Sequence, residues 1–159
     1  MAWTRAKKIT AGLAVLLLAG VVVVLVLRYH RQYHGPSHFP KGAWADAGTR
    51  DPVSALESAA YAAAQGDGKT LLASLTPELQ AAVHRAWAMQ GKAKGLSEED
   101  FLAADARRYS PSILGFRVLG EQVVKPDQVR LLIYVQGWWY KMPVALKRIG
   151  NEWKIAGFR

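Results

Sequence analysis

The chain of 159 residues contains no cysteine. This absence excludes disulfide bonds, thiolate metal sites and a cysteine nucleophile, and it is compatible with either side of a membrane. Acidic residues are absent from residues 1–40, which hold five lysines and arginines, whereas residues 41–159 hold sixteen of these and twelve acidic residues. The formal net charge of +9 therefore comes in large part from the first quarter of the chain, and the moderate charge of the rest argues against nucleic acid as a partner.

Charges are also absent from one long apolar run, Ile9–Leu27. A helix over this run would be roughly 28 Å long at about 1.5 Å per residue, close to the thickness of a bilayer's hydrocarbon core. A cleaved signal peptide would have a shorter apolar core of about 7–15 residues followed by small residues. Here the run ends at Arg28-Tyr29-His30-Arg31. The sequence therefore predicts one uncleaved transmembrane helix in contact with the lipid bilayer.

The flanks of the apolar run carry basic and aromatic residues typical of a membrane interface. They are Trp3, Arg5, Lys7 and Lys8 before the run and Arg28, Tyr29, Arg31 and Tyr33 after it. Translocating a short, triply charged tail is harder than retaining it, which favours a cytoplasmic N-terminus. The resulting prediction is a single-pass protein of a bacterial inner membrane with a short tail, a span, a juxtamembrane linker and one extracytoplasmic domain, at residues 1–8, 9–27, 28–50 and 51–159.

Two histidines after the run, His30 and His34, have the i,i+4 spacing of helical metal ligands. Gly35-Pro36 would end such a helix at once, and no third ligand follows beyond His38. Contact with polar headgroups is the simpler interpretation. The sequence therefore predicts no metal ion and no cofactor.

The folded domain begins with helix signals. Asp51 and Pro52 are a favourable N-cap and first residue, and Gly66 is a typical C-terminal residue. Thr76-Pro77 predicts the start of a later helix, and Ser97 with Asp100 resembles a capping box for another.

From Ile113 the apolar period shortens toward 2, as in β-strands. Val129, Leu131, Ile133 and Val135 alternate with more polar residues, and Pro126-Asp127 and Gly150-Asn151 are hairpin turns. Pro143 implies an edge or a bulge in the third strand. Helices followed by a meander of about four strands predict an α+β domain with three to four helices on one face of an antiparallel sheet.

This order resembles the nuclear transport factor 2-like superfamily, in which helices and a curved sheet enclose a cone. The segments that resemble it are Ala62–Asp67, Leu71–Glu78 and Gly150–Ile155. The resemblance covers roughly residues 51–159 and implies a fold, not a chemistry. An anchor followed by such a domain also loosely resembles the bitopic assembly proteins of type IV secretion systems.

In catalytic members of that superfamily, such as ketosteroid isomerases, polar side chains lie close together inside the cone. On the third predicted helix, Asp105 falls on the apolar face with Tyr109 one turn further on. A carboxylate on such a face either has a perturbed pKa and a function or accepts structural hydrogen bonds. His84 is expected to face solvent. Because no carboxylate pair or His–Asp pair has helical spacing, the sequence predicts a protein that is not an enzyme, with a cone pocket using Asp105 and Tyr109 as the alternative.

The second face of the predicted sheet mixes basic, aromatic and aliphatic side chains. Its interface candidates are Arg130, Leu132, Tyr134, Trp139 and Lys141, with Lys147 and Lys154 nearby. Tyrosine, tryptophan and arginine are enriched at the cores of protein interfaces, although a plain solvated face remains the alternative. The sequence therefore predicts a membrane-anchored accessory subunit of a larger complex, binding other membrane protein subunits or a second copy of itself through this face.

Overall fold

The computed structural model describes residues 38–158, apart from the side chain of Ala93, and shows helices packed on one face of an antiparallel sheet. The helices are α1 (Pro52–Gln65), α2 (Gly68–Ala73), α3 (Pro77–Ala86) and α4 (Glu98–Tyr109). The strands are β1 (His38–Pro40), β2 (Gly115–Lys125), β3 (Gln128–Gln136), β4 (Tyr140–Ile149) and β5 (Glu152–Gly157).

The helix ends follow the local signals in the sequence. The Asp51 carboxylate accepts a hydrogen bond from the Ser54 amide at 2.9 Å, and Gly66 ends α1 in the left-handed conformation with φ +69°. At α4 the Asp100 amide donates to Ser97 Oγ at 3.0 Å. Each contact satisfies a backbone group that the first or last turn of a helix leaves unpaired.

Helix α3 continues into a π-helical turn, Trp87–Gly91, that packs against α4. A Cβ atom on Gly91 would lie 2.6 Å from Trp87 Cδ1 and 2.9 Å from Phe101 Cδ2. Only glycine leaves room for these two rings. The Trp87 indole donates to the Leu96 carbonyl at 2.7 Å, so this turn has a structural explanation in packing.

The five strands pair in sequence order and all neighbours are antiparallel. Side chains that alternate along β3 and β4 point into the core, where Leu131, Val144 and Leu146 are at most 1% exposed. They pack against Leu56 and Ala59 of α1, among others. The period of 2 predicted for these strands is confirmed, and the sheet has a fifth strand, β1, that the sequence did not reveal.

The outer edge of β5 is covered by connecting segments. The Ile155 amide donates to the Ser74 carbonyl and the Thr76 amide donates to the Ile155 carbonyl, both at 2.9 Å, while the Trp153 amide donates to Thr49 at 2.8 Å. These bonds occupy groups that an edge strand otherwise offers to another chain. Pro143 of β4 lies beyond the end of β5, whose pairing stops at Ala145, so its missing N–H leaves no ladder bond unmade.

No helix within residues 38–158 is long and apolar enough to cross a membrane. The predicted span Ile9–Leu27 and the predicted interface residues on both sides of it lie outside the described residues. The predicted fold class and the single-pass inner-membrane location are corrected accordingly. The described fold is an α+β arrangement of four helices and a five-stranded sheet, with no membrane helix.

Candidate interaction surface

The sheet has a second face, opposite the helices, which we call the open face. The register places Arg117, Tyr134 and Lys141 in one row across β2, β3 and β4, and His38 of β1 extends this row beside Arg117. Leu132 pairs with Pro143 in the next row, and Arg130 pairs with Ala145 in the one after. Four of the five predicted interface residues, Arg130, Leu132, Tyr134 and Lys141, therefore share one face.

The charged side chains of the open face are exposed, and its apolar side chains are partly exposed, as expected for a contact surface. Arg130 and Lys141 are exposed, Leu132 retains 41% of its surface, and Tyr134 is half-buried among its neighbours. An aliphatic and an aromatic side chain in the middle of a polar surround resemble the arrangement at protein interfaces, where apolar cores have polar rims.

The charge of the open face has one dominant sign. Three cations of β3 and β4, Arg130, Lys141 and Lys147, lie on this face, and residues 128–149 contain no acidic residue. Lys154 of β5 has a carboxylate nearby, from Glu152, at an N–O distance of 3.5 Å. Lys147 lies close enough to the Glu78 carboxylate of α3 to attract it. Arg130 and Lys141 take part in no salt bridge found within residues 38–158, so this part of the face attracts negatively charged partners.

Trp139, the fifth predicted interface residue, lies in the loop between β3 and β4 and not on the open face. The loop is Gly137-Trp138-Trp139, and Trp139 has φ +56°, the one positive φ of a non-glycine residue within residues 38–158. This left-handed conformation is uncommon for a bulky side chain. Trp139 is 84% exposed, and the next residue, Tyr140, is 60% exposed.

The loop is held against the C-terminal end of α4. The Trp138 indole donates to Ser112 Oγ at 2.6 Å, and Ser112 Oγ donates to the Tyr109 carbonyl at 2.7 Å. The rings of Tyr109 and Trp138 meet edge to face with centroids 6.0 Å apart. A Cβ atom on Gly137, which has φ +96°, would lie 2.0 Å from the Ser112 carbonyl oxygen. The loop is thus braced on one side while Trp139 faces solvent on the other.

Together these residues form an exposed apolar cluster, which we call the aromatic tip. It comprises Tyr109, Leu114, Trp138, Trp139 and Tyr140. Four of these residues were not among the interface candidates identified from the sequence. The signal that would have found Trp138 is Gly137 at the end of a strand pattern, because it places the residues that follow it in a turn instead of a strand.

Asp105 and Tyr109, the candidates for a cone pocket, both lie at the surface. Asp105 is exposed on α4, and Tyr109 is 45% exposed, with the Arg108 guanidinium 5.7 Å from its ring centroid. The expectation that Asp105 lies on the apolar face of its helix is wrong, since Leu102 and Ala103 face the interior there. His84 is exposed and pairs with Glu98 at 3.2 Å.

A surface depression of about 430 Å³ lies where α3 approaches the end of β5. Its lining residues are Leu79, Ala145, Ala156, Gly157 and Phe158, none of which has an ionisable side chain. Residues 38–158 also contain no group of three or more side chains arranged to hold a metal ion. The depression offers no acid, base or nucleophile for chemistry.

No protein-family model and no curated protein matches this chain. Among solved structures, it is similar to the solution structure of a SEC-C motif containing protein from Rhodopseudomonas palustris. The TM-score is 0.46 and the identity 13%, over 82% of this chain and 90% of that one. At this level the similarity assigns neither fold nor function.

None of these findings is a nuclear transport factor 2-like protein or a type IV secretion protein. No family model and no curated protein supports the assignment of the chain to the nuclear transport factor 2-like superfamily, and this assignment is corrected, as is the predicted likeness to bitopic assembly proteins. The chain is described here by its own helices and strands.

Proposed function

We propose that residues 38–158 form a non-catalytic interaction domain that binds another protein through the open face and the adjoining aromatic tip. The observation that carries this proposal is the concentration of exposed aromatic and aliphatic side chains beside cations that have few acidic neighbours. Trp139, Tyr140 and Leu114 each expose 60% or more of their surface.

Exposed apolar side chains are common when they are scattered singly, but clustered ones mark interaction sites. Here they are clustered. Tyr109 and Trp138 are in ring contact, and Leu114 donates its backbone amide to the Gln136 carbonyl at 2.9 Å, next to the start of the loop. A plain solvated face does not explain why three aromatic residues follow one another at the end of a hairpin.

The charge distribution supports a protein partner with acidic groups. Nine of the twelve acidic residues lie between Asp46 and Asp105, in the helical part of the chain, whereas the strands after residue 114 carry an excess of cations. Electrostatic complementarity of this kind sets the orientation and the rate of association.

An enzymatic role has less support from the geometry. Asp105, its main candidate acid or base, is exposed on α4, and the depression of 430 Å³ lacks ionisable side chains. Reactive groups are usually gathered in a concave site where burial and neighbouring charges tune their pKa. Neither Asp105 nor the lining of this depression provides a concave site with several ionisable groups.

The proposal is tested by quantitative affinity purification of the tagged full chain from its own cells. The variant Arg130→Glu with Lys141→Glu reverses two charges of the open face. The control Lys92→Glu with Lys94→Glu reverses two charges in the helical part, where both lysines are exposed. We expect proteins that purify with the wild type to be lost from the first variant and kept by the second. Identical co-purification in all three would contradict the proposal.

The same variants address self-association. Sedimentation of the purified chain compares the mass of the wild type with that of the open-face variant. If the wild type is a dimer and the variant a monomer, the partner is a second copy. If both are monomers, the partner is a different protein.

A further inference from the structure

The aromatic tip contains a residue in a backbone conformation that its bulky side chain disfavours. Trp139 has φ +56° and is 84% exposed, and none of the hydrogen bonds found within residues 38–158 uses its indole N–H. Trp139 is the last residue before Tyr140, which pairs with Val135 across the hairpin, and a left-handed backbone is adopted far more readily by glycine than by a bulky residue. A tryptophan there stores backbone strain, and such strain is usually found at functional positions.

We propose that Trp139 is the anchor of the interface, presented in advance by the braced loop to an acidic segment of a partner protein. This inference rests on the proposed function and names the chemistry of its partner. Trp138 supplies the brace: it is fixed by Ser112 at 2.6 Å and by the ring of Tyr109, so the loop does not need to be ordered when the partner binds. Rigid aromatic residues that are ordered before binding lose little entropy and dominate the energetics of many interfaces.

The acidic character of the partner follows from the row of open-face residues next to the tip. Lys141 follows Tyr140 in β4 and pairs with Tyr134 of β3, which pairs with Arg117 of β2. Because neighbouring strands lie about 4.8 Å apart, the backbones of Lys141 and Arg117 are about 10 Å apart on either side of the Tyr134 ring. This row fits two carboxylates with an apolar side chain between them.

The two sources of binding act on different parts of the partner. Carboxylates on the row give orientation and a dependence on salt, because exposed charges are screened at high ionic strength. The Trp139 ring gives most of the affinity, because it changes from 84% exposed to enclosed. The cations of this row also suit phosphate groups, and the bases of single-stranded nucleic acid can stack on aromatic rings. Single-stranded nucleic acid is therefore the alternative partner that the experiment tests.

The test uses the purified full chain and fluorescein-labelled probes in fluorescence anisotropy. The probes are a random copolymer of glutamate and tyrosine, polyglutamate, polylysine and oligo-deoxythymidine. We expect the copolymer to bind more tightly than the other three and to weaken as salt is raised. Tighter binding of polylysine or of oligo-deoxythymidine would overturn the acidic-protein partner.

The variants separate the anchor from the rest of the face. Trp139→Asn keeps a residue that tolerates the left-handed backbone but removes the ring, and we expect its affinity for the copolymer to fall by more than about tenfold. Met89→Gln is the control, because Met89 is 74% exposed in the helical part, and it should change the affinity less than about twofold. If Lys141→Glu abolishes binding while Trp139→Asn leaves it unchanged, the anchor role is overturned and the proposed function stands. If neither variant changes binding, both are overturned.

The melting temperature distinguishes an interface anchor from a residue that stabilises the fold. An anchor held under strain can be replaced without loss of stability, so Trp139→Asn should melt at the wild-type temperature or above it. A melting temperature several degrees below that of the wild type would show that Trp139 stabilises the fold, and would overturn the inference.

Discussion

The indole N–H of Trp138 donates a hydrogen bond of 2.6 Å to the hydroxyl of Ser112, 26 residues earlier in the chain. This bond ties the β3–β4 loop to the turn that follows α4. It therefore connects the helical part of the chain to the aromatic tip, and it is a contact that a single substitution can remove.

Replacing Ser112 with alanine should loosen the aromatic tip without changing its composition. The Ser112 hydroxyl takes part in two hydrogen bonds, with Trp138 and with the Tyr109 carbonyl. A neutral hydrogen bond contributes about 0.5–1.5 kcal/mol, so the free energy of unfolding should fall by about 1–3 kcal/mol. Hydrogen exchange at residues 137–140 should become faster and binding at the tip weaker. Ser110→Ala is the control, because no hydrogen bond of the Ser110 hydroxyl is found within residues 38–158. Equal effects of the two substitutions would show that the Ser112 bond does not hold the loop.

Gly137→Ala should destabilise the domain more than Gly150→Ala does. Both glycines have positive φ, but a Cβ atom at Gly137 would meet the Ser112 carbonyl oxygen at 2.0 Å, whereas nothing lies within 4 Å of one at Gly150. Backbone strain alone costs about 1–2 kcal/mol at Gly150, and overpacking adds about 1–3 kcal/mol at Gly137. Urea denaturation measures both. Similar losses would mean that the loop moves away from Ser112 freely.

Leu131 and Leu132 are adjacent in β3 and point to opposite faces of the sheet. Leu131 is fully buried and Leu132 is 41% exposed. Leu131→Ala should lower the free energy of unfolding by about 2–5 kcal/mol, because it leaves a cavity in the core. Leu132→Ala should lower it by less than about 1 kcal/mol, as expected for a surface position. Calorimetry of the two variants gives both values, and a reversed order would place the core on the other face.

Asp67 gives α2 a cap that depends on pH. Hydrogen bonds from the side chain and the backbone amide of Thr70 hold the pKa of the Asp67 carboxyl below its ordinary value of 3.8. A lowered pKa in the folded state means that the ionised carboxylate stabilises the fold above pH 3.8, and that this contribution is lost as pH falls through the folded-state pKa. The wild type should therefore melt above Asp67→Asn near neutral pH, and the two should converge in acid. A constant difference across this range would contradict the lowered pKa.

Asp105 should be replaceable. The carboxylate is exposed, and it accepts no hydrogen bond found within the described part of the chain. Asp105→Ala and Asp105→Asn should each change the free energy of unfolding by less than about 0.5 kcal/mol and leave partner binding intact. Chemical denaturation and the co-purification assay measure these effects. Loss of a biological activity in a stable Asp105→Asn variant would instead support the cone-pocket alternative.

Elements whose signals lie within a few residues of one another could be predicted from the sequence. Asp51 before Pro52, Ser97 before Asp100 and the alternation along β3 each depend on neighbouring residues, and the structure shows the caps and the buried face that they predict. Such signals work because a helix end is satisfied locally and because successive side chains of a strand point to opposite faces.

Tertiary structure decided what depends on residues far apart in the chain. The register of β2, β3 and β4 brings Arg117, Tyr134 and Lys141 into one row, and the packing of Ser112 against Gly137 turns Trp139 out of the strand pattern into a braced loop. Asp105 was expected on the apolar face of its helix, but the orientation of α4 exposes its carboxylate to solvent. A helical or strand period places a residue on a face of its own element, but only the packing of that element against its neighbours decides whether the face is covered.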